Sequence, residues 1–201
     1  MGRPIRLGLM SRVIAGSAKG RRLVMPGHRD TRPTTDRVRE AAFALLADWA
    51  GTTGRPAEAE LAGLSFLDLY AGSGAVALEA ASRGASPVWA VERDRGTAGV
   101  AERNAGQTGL PVKVVTRGVA GFLAGAPRGF DIIWADPPYD LPEAELGAVL
   151  ESASSWLAPR GLVVVERAKR SGVPLWPASV VDSWKRDYGE TALHFAMRGE
   201  Q

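Results

Sequence analysis

Two stretches of this sequence place reactive side chains where chemistry could use them. Residues 66–77 read FLDLYAGSGAVA and residues 130–139 read FDIIWADPPY. In the first, an apolar strand ends at Asp68-Leu69-Tyr70, and Gly72 and Gly74 follow before a helix. Glycine lets the backbone turn sharply and approach a ligand closely, and a helix N-terminus offers that ligand free N–H groups. Gly72-x-Gly74-x-x-Ala77 also fits the looser dinucleotide pattern. Asp68 shifts the balance: a pyrophosphate repels a nearby carboxylate, whereas the methionine end of S-adenosylmethionine carries an ammonium group that attracts one. Glu92 closes the next strand, where either cofactor would present ribose hydroxyls. Their bland alternatives are a carboxylate that caps the turn at Asp68 and a solvated strand end at Glu92.

The second stretch suits an exocyclic amine as nucleophile. Such an amine is weak because its lone pair is delocalised into the ring. Acceptors aimed at both N–H bonds localise that lone pair. Asp136 offers a carboxylate and Pro137 a carbonyl, while Pro138 stiffens the loop after an apolar strand. Full deprotonation is not needed first, because methylation itself acidifies the amine. Against a sulfonium electrophile, positioning then carries much of the rate. Tyr139 offers a flat face for a base drawn out of its helix. A structural D-P-P turn with a surface tyrosine is the plain alternative.

These residues need strand ends to hold them, and the pattern supplies strands alternating with helices. Strands are expected at Leu64–Tyr70, Pro87–Glu92, Val112–Thr116, Phe130–Ala135 and Leu162–Glu166. Helices are expected at Ser73–Arg83, Arg95–Thr108, Val119–Ala124 and Pro142–Leu157. Repeated units of this kind imply a parallel sheet covered on both faces. By strand order, the strand before Asp136 should adjoin the one bearing Asp68. Ser179–Arg186 and Thr191–Met197 read as a terminal antiparallel pair joined at Tyr188-Gly189-Glu190. Upstream, Arg12–Ala15 and Arg21–Met25 read as a hairpin with a basic turn, and residues 26–33 as a loop. That loop could close over the cofactor. A helix capped by Thr34 or Thr35 then runs to about Ala50, with an apolar face. Residues 51–63 connect it to the body. Met10 is a candidate functional start.

The chain has 201 residues, no Cys and two His, His28 and His194. Disulfides, Cys-bearing zinc sites and a Cys nucleophile are therefore excluded. No apolar run is long enough to span a bilayer, and the start does not read as a secretory signal, so a cytoplasmic, non-membrane protein is expected. Charge is uneven. Residues 1–40 hold 10 Lys/Arg and 3 Asp/Glu, net +7, whereas the remainder is net −4. A basic arm on a mildly acidic body suits a polyanion such as nucleic acid. Arg12, Lys19, Arg21, Arg22, Arg32 and Arg37 could position an RNA backbone without reading bases. Arg37 and Arg39 could equally pair with acids on the body.

Asp68-Leu69-Tyr70-Ala71-Gly72-Ser73-Gly74 and Asp136-Pro137-Pro138-Tyr139 resemble the signatures of class I S-adenosylmethionine-dependent methyltransferases acting on amino nitrogens. Arg12-Val13-Ile14-Ala15-Gly16, Lys19-Gly20-Arg21-Arg22-Leu23 and Arg32-Pro33-Thr34-Thr35-Asp36-Arg37-Val38-Arg39-Glu40 are similar to the bacterial small-subunit ribosomal RNA guanine-N2 methyltransferases of the RsmD type. The resemblance implies a Rossmann-like α/β fold, with a seven-stranded, mostly parallel sheet whose last strand is antiparallel. Residues 1–50 would be a basic hairpin and helix packed on a methyltransferase body at 51–201. It implies S-adenosylmethionine held by Asp68, Tyr70, Gly72 and Gly74, with Glu92 on the ribose, and catalysis by Asp136, Pro137, Pro138 and Tyr139. It implies no metal. The partner would be 16S rRNA within the small ribosomal subunit or its assembly intermediate. The third strand ends at Thr116-Arg117-Gly118-Val119 without the acid that often meets adenine, so backbone groups would have to serve there.

Other assignments explain less. An amino-methyltransferase of DNA adenine or protein glutamine keeps the fold and changes the target. The basic arm argues against glutamine, and the lack of a separate recognition domain argues against DNA. A nicotinamide-dependent oxidoreductase leaves Asp136–Tyr139 idle and shows no hydride-site His or Tyr-x-x-x-Lys. A non-catalytic RNA-binding module does not explain why Gly72 and Asp136 are intact.

Overall fold

The computed structural model describes residues 11–26 and 35–200. Met10, Arg32, Thr34 and residues 27–33 of the expected loop lie outside them. Within the described residues the body alternates strand and helix: β3 (Phe66–Leu69), α2 (Ala75–Ser82), β4 (Val88–Glu92), α3 (Arg95–Thr108), β5 (Val112–Thr116), α4 (Val119–Leu123), β6 (Phe130–Ala135), α5 (Glu143–Ser154), β7 (Leu157–Ala168), β8 (Val180–Tyr188) and β9 (Thr191–Arg198). Before it come β1 (Ser11–Arg12), β2 (Arg22–Leu23) and α1 (Asp36–Trp49). Thr35 Oγ1 accepts the Val38 N–H and starts α1. Asp94 starts α3 through the Thr97 N–H, and Gly109, at φ +72°, ends it.

The seven-stranded sheet has the order β5-β4-β3-β6-β7-β9-β8. Its first five members are parallel, and β9 runs antiparallel to both β7 and β8. Helices cover both faces. Residues of α1 and α2 pack on one side with Phe66, Ala90, Ile132 and Trp134. Those of α4 and α5 pack on the other with Leu67, Leu69, Val91 and Ile133. Double coverage explains why the central strands read as continuous apolar runs. Strand order reverses between β3 and β6, and ligands of open α/β sheets bind beyond the carboxyl ends at such a point.

Three of the boundary differences from the sequence expectation have a physical cause in the packing. Leu157 belongs to β7 and not to α5, pairing with Phe130 before the register shifts past Arg160 at φ +62°. It is buried in the same apolar cluster either way, so helical spacing cannot tell the two placements apart. The strand of Asp68 is shorter than Leu64–Tyr70, because Tyr70 leaves it at φ +64°. The hairpin strands shrink to two residues each, because their neighbours bond to the body. Ile14 and Ala15 donate to the Glu79 carboxylate at 2.7 and 3.0 Å, and Val24 donates to Asn104.

That docking is close. Gly16 sits at φ +81°, and a Cβ there would fall 1.9 Å from the Ser82 carbonyl oxygen. Ser17 donates to the same oxygen at 2.8 Å. Glu79, fully buried on α2, also accepts from Arg83 Nε at 2.8 Å and lies 3.8 Å from buried Arg39 on α1. Breaking a buried ion pair leaves an uncompensated charge. Glu79→Ala is therefore expected to cost about 3–5 kcal/mol of stability, read as a lower urea midpoint with an unchanged slope. A midpoint within error of wild type would mean that the pair is not holding the arm.

Candidate active site

Sheet register brings the acids together. Leu69 pairs with Val91 and with Ala135, and Ala135 pairs with Val165. One residue further along, Glu92, Tyr70, Asp136 and Glu166 form a row across the carboxyl edge of β4, β3, β6 and β7. Side chains alternate faces along a strand. Glu92, Asp136 and Glu166 therefore follow Ala90, Trp134 and Val164 toward the face covered by α1 and α2, as does Asp68. The structure thus gathers Asp68, Glu92 and Asp136, as the sequence implied. Trp134 is fully buried beneath them.

The glycine loop is shaped to receive a ligand. Gly72 and Gly74 both have positive φ, at +55° and +77°. A Cβ on Gly72 would meet nothing within 4 Å, so the loop faces open space there. Asp68 is buried and accepts the Ala77 N–H at 3.1 Å, one of the free donors at the start of α2. The capping alternative for Asp68 is thus real. One N–H bond still leaves acceptor capacity on the carboxylate. Burial pushes its pKa up to about 8, with Glu92 and Glu166 adding to the rise and the Ala77 bond opposing it. A buried acid so destabilised as an anion suits a cationic ligand and disfavours a pyrophosphate. Glu92 is not merely solvated: it accepts Gly72 N–H at 3.0 Å and Asp94 N–H at 2.8 Å. It fixes the loop and lies at the edge where ribose would sit. These residues fit S-adenosylmethionine.

The Asp136–Tyr139 loop follows directly. Asp136 donates its backbone N–H to the Leu69 carbonyl at 3.4 Å, and Leu141 closes the next turn onto the Pro138 carbonyl at 3.0 Å. Pro137 is buried and Pro138 half-buried, whereas Tyr139 is 56% exposed. Tyr139 lines a cavity of about 290 Å³ with Ala168, Arg170, Glu190 and Thr191. Burial, then Glu166, then Asp68 hold the Asp136 carboxyl well above the usual carboxylate range. At the end of β5, Arg117 donates its N–H to the Glu92 carbonyl at 2.9 Å. Among the described residues no three His, Cys, Asp or Glu are grouped to hold a metal ion, and no helix is long and apolar enough to cross a membrane.

In the arm, Arg12, Lys19, Arg21, Arg22 and Arg37 are exposed. Arg12 lies 3.6 Å from Asp36. Arg39 is instead fully buried on Asp36 and Glu79. Sequence reasoning missed two residues. Glu166, buried near the end of β7, raises both Asp68 and Asp136. It ends the run LVVVE as Glu92 ends VWAVE, and that shared pattern could have found it. Asn104 joins the arm to the glycine loop, and no motif announces it.

A family model described as Conserved hypothetical protein 95 matches residues 11–197. Ribosomal RNA small subunit methyltransferase D of Escherichia coli strain K12 is 32% identical over 195 residues, which cover 94% of this chain and 91% of that protein. Among solved structures, yhhF from Escherichia coli superposes with a TM-score of 0.80 at 29% identity, over 96% of this chain and 99% of that one. TTHA0928 from Thermus thermophilus gives 0.75 at 32% identity, over 92% and 98%. Likeness that runs through arm, glycine loop and D-P-P-Y loop alike places this chain in the ribosomal RNA small subunit methyltransferase D family.

Proposed function

We propose that this protein methylates the N2 amine of one guanine in 16S rRNA, presented by an assembled or partly assembled small subunit in the cytoplasm. The broader activity is that of its family, S-adenosylmethionine-dependent methylation of small-subunit ribosomal RNA. One observation carries the finer reading. The acid suited to activating an amine, Asp136, stands in the same row as Glu92 and beside the exposed Tyr139.

When bound, S-adenosylmethionine supplies an electrophilic methyl group on sulfur. Asp68 would meet its ammonium group, Glu92 its ribose, and the loop at Gly72 and Gly74 would pass close by without side chains. Asp136 and the Pro137 carbonyl accept the two N–H bonds of the target amine and localise its lone pair. Tyr139 stacks on the extruded base. As methylation acidifies the nitrogen, the N–H held by Asp136 passes its proton to that carboxylate.

The test is transfer of labelled methyl to unmodified small subunits, deproteinised rRNA and duplex DNA, followed by nucleoside analysis. Label in N2-methylguanosine, with subunits preferred, is the expected result. Label in methyladenine from DNA would overturn the target, and label on bare rRNA alone would overturn the subunit.

The exposed arm gives a second expectation. Changing Arg21 and Arg22 to Ala should weaken RNA binding and reduce the slope of log K against log salt by about 1–2, since each lost phosphate contact releases about one counterion fewer. An unchanged slope in a salt titration would mean that the pair does not touch phosphate.

A further inference from the structure

We infer that Asn104 is a positioning residue that couples the basic arm to the cofactor loop. It is fully buried on α3. Its Oδ1 accepts the Val24 N–H at 2.9 Å, and its Nδ2 donates to the Val24 carbonyl at 2.9 Å and to the Ser73 carbonyl at 3.0 Å. The neighbouring groups fix the amide's orientation, because two carbonyls require the N–H₂ end and one N–H requires the oxygen. Val24 directly follows Arg21, Arg22 and Leu23, and Ser73 lies between Gly72 and Gly74. A single rigid amide plane thus holds the segment that carries two arm arginines and the loop that faces the cofactor.

Two further contacts support the link. A Cβ on Gly74 would lie 3.2 Å from Ala101 Cβ, so α3 rests against the loop one turn before Asn104. Leu23 packs with Leu78 and Ala105, on the same side of α2 and α3. A ligand seated on the loop adds to the hold that Glu92 already has on the Gly72 N–H. That further restrains the Ser73 carbonyl, hence the amide, hence Val24. A ligand that rigidifies one site lowers the entropy a second ligand must lose, so the two bind cooperatively. Coupling of this kind is reciprocal: whatever the arm binds must tighten the cofactor by the same factor. The inference rests on the cofactor and RNA readings given above.

Amide hydrogen exchange tests it without RNA and without turnover. S-adenosylhomocysteine added to the wild-type protein should slow exchange at Gly72–Ala77 and also at Val24, the latter by about fivefold or more. In Asn104→Ala the loop should still be protected while Val24 no longer responds. Ser82→Ala removes two different arm contacts, the bond its hydroxyl accepts from the Ala18 N–H at 3.0 Å and the one it donates to the Ala15 carbonyl at 2.6 Å, and should keep the Val24 response. A protected loop with an unchanged Val24 in the wild type overturns the coupling and leaves the cofactor reading standing. No protection at either place overturns both. Loss of the Val24 response in Ser82→Ala would also overturn the role of Asn104, because the signal would then follow docking of the arm in general. The wild-type measurement decides the matter even where Asn104→Ala does not fold.

Discussion

Asp136→Ala is expected to lower the methyl-transfer rate by about 10²–10⁴-fold, the range lost with a positioned acid or base, and to leave S-adenosylhomocysteine binding near its wild-type strength. The separation follows from the row of strand ends. Asp68 and Glu92 lie under and beside the glycine loop, while Asp136 begins the loop that leads to Tyr139. Losing its carboxylate removes the acceptor for an amine N–H and no group assigned to the cofactor. Rapid-quench transfer and calorimetric binding, measured on one preparation, check both halves. Undiminished turnover would remove Asp136 from the mechanism, and lost cofactor binding would place it in the wrong half of the site.

The same residue sets a pH limb. As an anion the carboxyl is the stronger N–H acceptor and best localises the amine lone pair, and burial, Glu166 and Asp68 together hold the Asp136 carboxyl well above its ordinary range. The rate should therefore climb with pH through a limb displaced upward from that of a free carboxylate. Glu166→Gln removes a negative neighbour, so Asp136 ionises more easily and the limb moves to lower pH. A limb that stays in place in Glu166→Gln would mean that this neighbour does not tune it.

How much of this was legible in the sequence follows from distance along the chain. Motifs whose parts lie within a few residues were readable: Asp68 to Gly74 fix a strand, a turn and a helix start, and Asp136 to Tyr139 fix a strand end and a stiff loop. The neighbour relation of β3 and β6 was readable because strand order in such folds is restricted. Glu166 and Asn104 were not read, because each acts through partners that only folding brings near. Asn104 meets Val24 across 80 residues of chain. Leu157 shows the complementary failure. Apolar spacing records that a residue is buried, and a helix end and a strand start bury it equally well. The short hairpin is a third case. Of its β-prone residues only Arg12, Arg22 and Leu23 lie in strands, and Glu79 and Asn104 take N–H bonds that a longer ladder would have used.

Asp68→Asn should weaken S-adenosylhomocysteine binding by about 10–100-fold, the worth of a charge-assisted hydrogen bond of roughly 1.5–3 kcal/mol, and at the same time stabilise the protein without ligand. The sign follows from the raised acid. Its ordinary value is 3.8, and in the folded chain burial, Glu92 and Glu166 push it up to about 8. Below about pH 4 both folded and unfolded chains hold the proton. Between there and pH 8 the unfolded chain has released it and the folded chain has not, so stability falls as pH rises across that window. Asparagine cannot ionise, and its oxygen can still accept the Ala77 N–H. The variant should gain about 1 kcal/mol, roughly 2–4 °C in Tm for a domain of this size, with the gain larger at pH 8 than at pH 5. Wild-type affinity for the ligand should rise over the same interval, since binding a cation there first requires the carboxyl to lose its proton. Scanning calorimetry at the two pH values and ligand titration at each separate the effects. A variant less stable than wild type at pH 8 would show that the Asp68 anion is serving the fold, not held there against it for the cofactor.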